Sequence, residues 1–296
     1  MPEEKDKRTS KTKKLLKKVL GRRYTFEGSQ ADLELLRSIY EGTCANTQPG
    51  DPSFHAYAAA VNATSEFAGQ ALDILELIPF NNQLVDIQEE YMPSYPPMSP
   101  VTSAFFASWM VLDARDSLTG VTLGELFVHY LQHMGKFDFL RQAMVALNDS
   151  FCSFYLVMDV GLHGVTLWDI AGKRQFQCWN SSGYPGRTGQ VWYVRVLPPF
   201  VTGSNRSVTM GTPYVFKDST RLTSEDMWEA FFQRHMASQV GAGHSLREYL
   251  KSGKSLGYWL EFIFQAFVSY TGNMILVTGV PDNPASLPHY SPKHNL

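Results

Sequence analysis

Glu125, His129 and His133 stand at i, i+4 and i+8. Three such side chains along one helical face can hold a transition metal. The competing periodicity is Leu123, Leu126, Phe127, Tyr130, Leu131 and Met134, a core stripe that turns both histidines to solvent. Thr122 with Glu125 spells a capping box, which already gives that carboxylate a structural task. The expectation is a solvated face with no bound metal.

Ser252-Gly253-Lys254-Ser255 ends like a phosphate-binding loop, but Glu248 occupies the place of the first glycine. The preceding Leu246–Leu250 reads as helix and not as the buried strand such a loop needs. It is expected to be a helix junction. Cys152 and Cys178 are potential nucleophiles, yet each lies in an apolar strand-like run where a thiol packs as a small hydrophobe. No lipase-type serine elbow, zinc-protease or dinucleotide fingerprint occurs. No cofactor is expected.

The most suggestive set lies between residues 168 and 195, where Trp168, Trp179, Tyr184, Trp192 and Tyr193 alternate with Lys173, Arg174, Arg187 and Arg195. Aromatics interleaved with cations on a small barrel can stack bases and hold phosphates. Alternation along Gln190–Leu197 assigns Trp192, Val194 and Val196 to the core and Tyr193 and Arg195 to the outer face, with the guanidinium in water. Trp179, Tyr184, Arg187, Tyr193 and Arg195 are therefore the candidate ligand-binding residues. Tyr91–Pro100 has four prolines in eight residues and reads as an extended linker packed over the body.

The elements that must position these groups follow from pattern. Of 296 residues 44% are hydrophobic, enough for one large or two ordinary domains. Residues 1–23 carry ten basic and three acidic side chains, a net +7. The remaining sixteen basic and twenty-five acidic residues leave the body at −9. An acidic body is no dedicated nucleic-acid surface, although a basic tail can be a local one. The tail, with Leu15, Leu16, Val19 and Leu20 at helical spacing, is too short to be a stable helix alone and is expected to be disordered. Helices are expected at 30–41, from Ser53 to about Leu77 with Pro79 as its stop, at 102–114, 122–134 and 137–147. Between 150 and 216 the period shortens to two, and five strands follow: 151–159, 164–170, 174–179, 190–197 and 206–216. Helices return at 224–238, 245–251 and 255–270, and a loose tail runs from 281.

The fold class is α+β, with a helical N-terminal part, a central small antiparallel barrel-like module and C-terminal helices. The domain reading is a basic tail to 23, helices over 24–90, a linker over 91–100, helices plus the β module over 101–222, C-terminal helices over 223–280 and a tail over 281–296. Three widely spaced cysteines argue against a disulfide framework. The N-terminus lacks the apolar stretch of a secretory signal, and no run is long enough to span a membrane. The sequons at Asn62, Asn148, Asn180 and Asn205 then carry no glycan. A soluble, cytoplasmic protein is expected.

Phe106 and Trp109 with Asp113, Thr122-Leu-x-Glu125, the run Ser150–Asp159, Leu167-x-Asp169 with Gly172, Val194-Arg195-Val196 and Gly211 together resemble a loose group of uncharacterised bacterial proteins. The resemblance covers 101–216. It implies a helical segment leading into a small all-β module, and no activity. Some members end in a cysteine-rich SEC-C-type zinc motif. No cysteine follows Cys178 here, so that metal is not implied. The leading expectation is a non-enzymatic binding or adaptor protein whose partner the sequence does not identify, another protein being the first candidate. The alternative is nucleic-acid binding through the basic tail and the β module, and the third is an enzyme whose site sequence cannot reveal.

Overall fold

Aromatic and alanine faces, more than helix propensity, decide how the first helices assemble. The computed structural model describes residues 2–41, 52–91, 100–162, 164–170, 172–182, 184–201, 204–216, 251, 270–271 and 274–277. Over these the helices are α1 (Pro2–Leu20), α2 (Gln30–Tyr40), α3 (Pro52–Leu72), α4 (Ile78–Tyr91), α5 (Pro100–Leu112), α6 (Leu123–Met134) and α7 (Asp138–Asp149), with a 3-10 turn at Leu75–Leu77. The chain divides into two compact units. The first comprises Met1–Gln88, Ala107–Asp149 and Pro198–Asn205, and the second Glu89–Phe106, Ser150–Leu197 and Arg206–Leu296. Helices α6 and α7 thus belong with the N-terminal helices and not with the β module. None of the described helices is long and apolar enough to cross a membrane.

In the first unit, α3 buries Ala56, Ala59, Ala60, Ala63 and Ala71, small side chains that let neighbouring helices approach closely. Phe67 of the same helix stacks on Phe127 of α6 at 4.3 Å and meets Tyr24 at 4.7 Å. Thr122 caps α6 with the full reciprocal box expected from the sequence: its side chain accepts from the Glu125 amide, and the Glu125 carboxylate accepts from the Thr122 amide.

Three expectations are corrected here. Residues 2–20 are not a disordered tail: α1 buries Leu15 and Val19, at 2% and 0% exposure. Packing supplies the stability that an isolated short helix lacks. Pro79 does not simply end the preceding helix. It sits in the first turn of α4, where its missing N–H would have no helical partner anyway. Ser53 lies inside the first turn of α3 and not at its cap.

The second unit holds the β module: β1 (Phe151–Gly161), β2 (Gly164–Asp169), β3 (Arg174–Asn180), β4 (Val191–Leu197) and β5 (Ser207–Phe216). All five strands fall where period-two patterning placed them. Neighbouring pairs β3–β2–β1–β4–β5 are antiparallel, and β3 then pairs with β5 in parallel through Cys178↔Ser207, Trp179↔Val208 and Asn180↔Thr209. That last pairing closes the barrel. Its interior holds Tyr155, Val157, Val165, Leu167, Cys178, Trp192, Val194, Val196 and Val215. In the region expected to be helical to 280, Lys251 is helical as expected, and the reading is corrected at the other described residues: β6 (Tyr270–Thr271) pairs with β7 (Met274–Val277), which runs parallel to the second half of β5. The expected helices at 224–238, 245–250 and 255–269, the Ser252–Ser255 turn, linker residues 92–99 and the tail from 281 lie outside the described residues.

Every residue of β4 is buried. Its inner face is the expected one, Trp192, Val194 and Val196. Its outer face is covered too. Phe154, Tyr193 and Tyr214 form an aromatic row across β1, β4 and β5, and Phe105 stacks on Tyr214 at 4.2 Å. On the next rung Arg195 stands between Cys152 and Met210 at 1% exposure, and its Nη1 donates to the Ser150 carbonyl oxygen at 2.7 Å. The expectation that this guanidinium stays wet is therefore wrong, though the register is right. Truncating this side chain removes a buried donor from the Ser150 carbonyl and leaves a cavity. Arg195→Ala is expected to destabilise the chain by about 2–4 kcal/mol through the lost charge-assisted hydrogen bond and the cavity. Trp192→Ala should cost roughly 3–5 kcal/mol. Denaturant unfolding checks both, and an Arg195→Ala variant as stable as the parent would contradict the two-sided burial of β4.

Candidate binding surface on the barrel

Where β4 is sealed on both faces, β2 and β3 are sealed on one. Val165, Leu167 and Cys178 point to the interior, with Phe176 packed beside them. Alternation then puts Thr166, Trp168, Gln175, Gln177 and Trp179 on the outside, where Trp168 pairs with Gln175 and Thr166 with Gln177. Gln175 and Gln177 are exposed, and Thr166, Trp168 and Trp179 are half-buried. Trp179 lies four residues beyond Gln175, so the two tryptophans bracket a polar strip about 13 Å long. A Cβ at Gly164 would meet the Cys178 carbonyl oxygen at 2.3 Å, so glycine is required where β2 runs beside Trp179.

One cation lies against this strip, and others stand at the end of the barrel beside it. The Arg206 guanidinium lies 4.9 Å from the centre of the Trp179 ring. Arg174 lies 4.6 Å from the Phe176 ring centre and 3.8 Å from the buried carboxylate of Asp169. That carboxylate accepts from Ser153 Oγ and from the Gly172 amide, fixing the β2–β3 turn that carries exposed Lys173. Over residues 150–216 there are five basic side chains, Lys173, Arg174, Arg187, Arg195 and Arg206, and two acidic ones, Asp159 and Asp169. The segment is thus +3 within a body of −9. Arg195 and Asp169 are buried, and their charges cancel in that count, so the +3 belongs to side chains at or near the surface.

The β3–β4 loop positions two more of the expected residues. Gln190 Oε1 accepts from the Arg187 amide at 3.0 Å and from the Trp192 indole N–H at 3.1 Å, while its Nε2 donates to the Tyr184 hydroxyl at 3.1 Å. Asn180 Nδ2 donates to the Tyr184 carbonyl. Gly186, at φ 72°, lies against the Trp192 ring, which a Cβ there would strike at 2.3 Å. The loop is thereby fixed on the mouth of the core, with the Arg187 side chain exposed.

Of the five residues expected from the sequence, Trp179 stands on the open strip and Arg187 on the exposed loop. Tyr184 is half-buried and packs against the core. Tyr193 and Arg195 lie on the sealed side, at 0% and 1% exposure. Sequence reasoning named Trp168 in the aromatic set but not among the five candidates, and it missed Gln175, Gln177 and Arg206. Alternation within Val165–Trp168 was the available signal for the first; Arg206 and Trp179 are distant in sequence, and only the parallel closure brings them together.

Of the other sets, Glu125 and the two described cysteines take structural places. Glu125 is engaged by Arg115 through both oxygens, at 3.0 and 3.2 Å, besides its cap. His129 and His133 are exposed on α6, and Met134, assigned to the core stripe, is 41% exposed at the helix end. Among the described residues no three His, Cys, Asp or Glu side chains cluster as metal ligands. Burial pushes the Cys178 thiol up to about 12, so it carries no thiolate at neutral pH. Burial, helped by the Asp169 charge, also holds the Tyr155 phenol well above its ordinary range. No family model matches the chain, and neither a curated protein nor a solved structure does.

The raised thiol has a measurable consequence. Below its ordinary value of 9.0, folded and unfolded chains both keep the proton. Above that value the unfolded chain loses it and the folded chain does not, so stability falls as pH rises from about 9 toward 12. The loss attributable to one such group approaches about 1.4 kcal/mol per pH unit. Denaturant unfolding of the parent and of Cys178→Ala across this window should show the shallower alkaline loss in the variant. Identical slopes would contradict the burial of this thiol.

Proposed function

We propose that the chain is a non-enzymatic binding protein whose contact surface is the open β2–β3 side of its barrel. The observation that carries this reading is the asymmetry of the barrel wall. One side is sealed under aromatics, and the other presents two half-buried tryptophans at the ends of a glutamine and threonine strip.

Of the ligands that such a strip can hold, single-stranded nucleic acid suits it best. Every base has a π-face that an indole can stack on, and Arg206 over Trp179 adds a cation at the same place. The local +3 favours a phosphate chain although the body as a whole is acidic. Connectivity supports the same reading. A five-stranded barrel in which β1 pairs with β2 and β4, and β3 closes on β5, has the strand order of oligonucleotide- and oligosaccharide-binding barrels. Those barrels use the β2–β3 face. Glutamine side chains between the stacking positions can donate to and accept from base edges or sugar hydroxyls.

The test is a fluorescence titration with a single-stranded oligothymidine at low salt, following the tryptophan signal. Trp179→Ala should weaken binding by about 1–3 kcal/mol, the usual value of one stacked base. Arg187→Ala should lower the slope of log K against log salt by about one. No binding at low salt, or unchanged affinity in a Trp168→Ala, Trp179→Ala double variant, would contradict nucleic acid as the ligand of this face.

A further inference from the structure

Residues 7–23 contain nine basic side chains and no acidic one: Lys7, Arg8, Lys11, Lys13, Lys14, Lys17, Lys18, Arg22 and Arg23. All nine are exposed. In a free peptide this would be an amphipathic helix with an apolar face to insert. Here that face is already used, because Leu15 and Val19 are buried in the helical unit. What remains outward is a rigid cationic ridge, with Lys7, Lys11, Lys14 and Lys18 at i, i+4, i+7 and i+11 along one line.

The end of this ridge meets an apolar stripe. Lys18 Nζ lies 3.8 Å from Glu76, and Arg22 donates to the carbonyl oxygens of Gln70 and Asp73. Those contacts bring the end of α1 to the 3-10 turn and the start of α4. Flanking Glu76 are Leu75, 73% exposed, and Ile78, 41% exposed. Val85, two turns further along α4 on the side of Ile78, is 42% exposed. Three large aliphatic side chains in open water beside a line of lysines form a surface with two chemistries. Among the described residues the exposed acidic side chains beside this stripe are Asp73 and Asp86, and Glu76 is paired with Lys18.

We infer that this face of the helical unit docks on an anionic membrane surface, with the ridge of α1 over the lipid headgroups and Leu75, Ile78 and Val85 reaching the acyl boundary. A polyphosphate chain would reward the lysines but not the aliphatic stripe. An apolar protein groove would reward the stripe but not nine cations. A lipid interface rewards both. Each lysine or arginine near such a surface is worth about fivefold in partitioning. The site does not depend on the barrel or on its ligand, so either reading can fail without the other.

The experiment is co-sedimentation of the full chain with vesicles of phosphatidylcholine alone or mixed with phosphatidylserine. The chain should sediment with the anionic vesicles only. Lys11→Glu with Lys14→Glu should lower partitioning more than a hundredfold, and Leu75→Ser about tenfold, with circular dichroism unchanged. As a second reading, Leu75→Cys in a Cys44→Ser background, labelled with a polarity-sensitive dye, should shift to the blue on anionic vesicles. Equal sedimentation with both vesicle types would overturn the proposal. So would Leu75→Ser partitioning like the parent together with an unshifted dye, since that result describes a ridge that binds soluble polyanions by charge alone.

Discussion

The structure of the β module depends on one constraint: β4 must be buried on both faces. A strand in a small barrel ordinarily has one face in the core and one in water. Here the outer row of Phe154, Tyr193 and Tyr214, with Phe105 stacked upon it, removes the second face from solvent. Several features follow. Arg195 is buried on the outer face of β4, where its Nη1 donates to the Ser150 carbonyl and hydroxyl. Exposed surface on the barrel is displaced to β2 and β3. Closure of β3 on β5 then carries Arg206 to Trp179, placing a cation on the ring that borders the open side.

The ends of that open side are held by buried Asp169 and half-buried Gln190 and not by packing alone. Asp169 organises the β2–β3 turn through Ser153 and the Gly172 amide, and Gln190 ties the β3–β4 loop to Trp192 and Tyr184. Both groups are hydrogen-bonded where they leave solvent, as buried polar groups must be. The consequence is a contact strip held on rigid strands between fixed turns, which lowers the ordering cost of binding.

Local pattern made the five strands and the Thr122–Glu125 box readable in advance, because strand period and cap chemistry are properties of a few neighbouring residues. The same alternation assigned Trp192, Val194 and Val196 correctly. It could not show that Arg195 is buried, because the cover over the outer face includes Phe105, ninety residues away in sequence. Docking of α1 escaped for a similar reason. Leu15 and Val19 were visible as a periodic pair, but the surface that buries them belongs to later helices. Helix α4 was lost to reading Pro79 as a stop when a first-turn proline is equally compatible. For the site, Trp179 and Arg187 were legible as exposed types on a predicted barrel. Tyr193 and Arg195 failed as contact residues because alternation separates two faces without saying which of them meets water.

The claim on which the rest turns is that the β2–β3 side is the contact face of this protein. Hydrogen exchange of the full chain, with and without a saturating single-stranded oligothymidine, measures this directly. The account predicts slowed exchange in Gly164–Asp169 and Arg174–Asn180, and no change in Val191–Leu197, which is already sealed. Protection confined to other segments, with β2 and β3 exchanging as in the free chain, would contradict it.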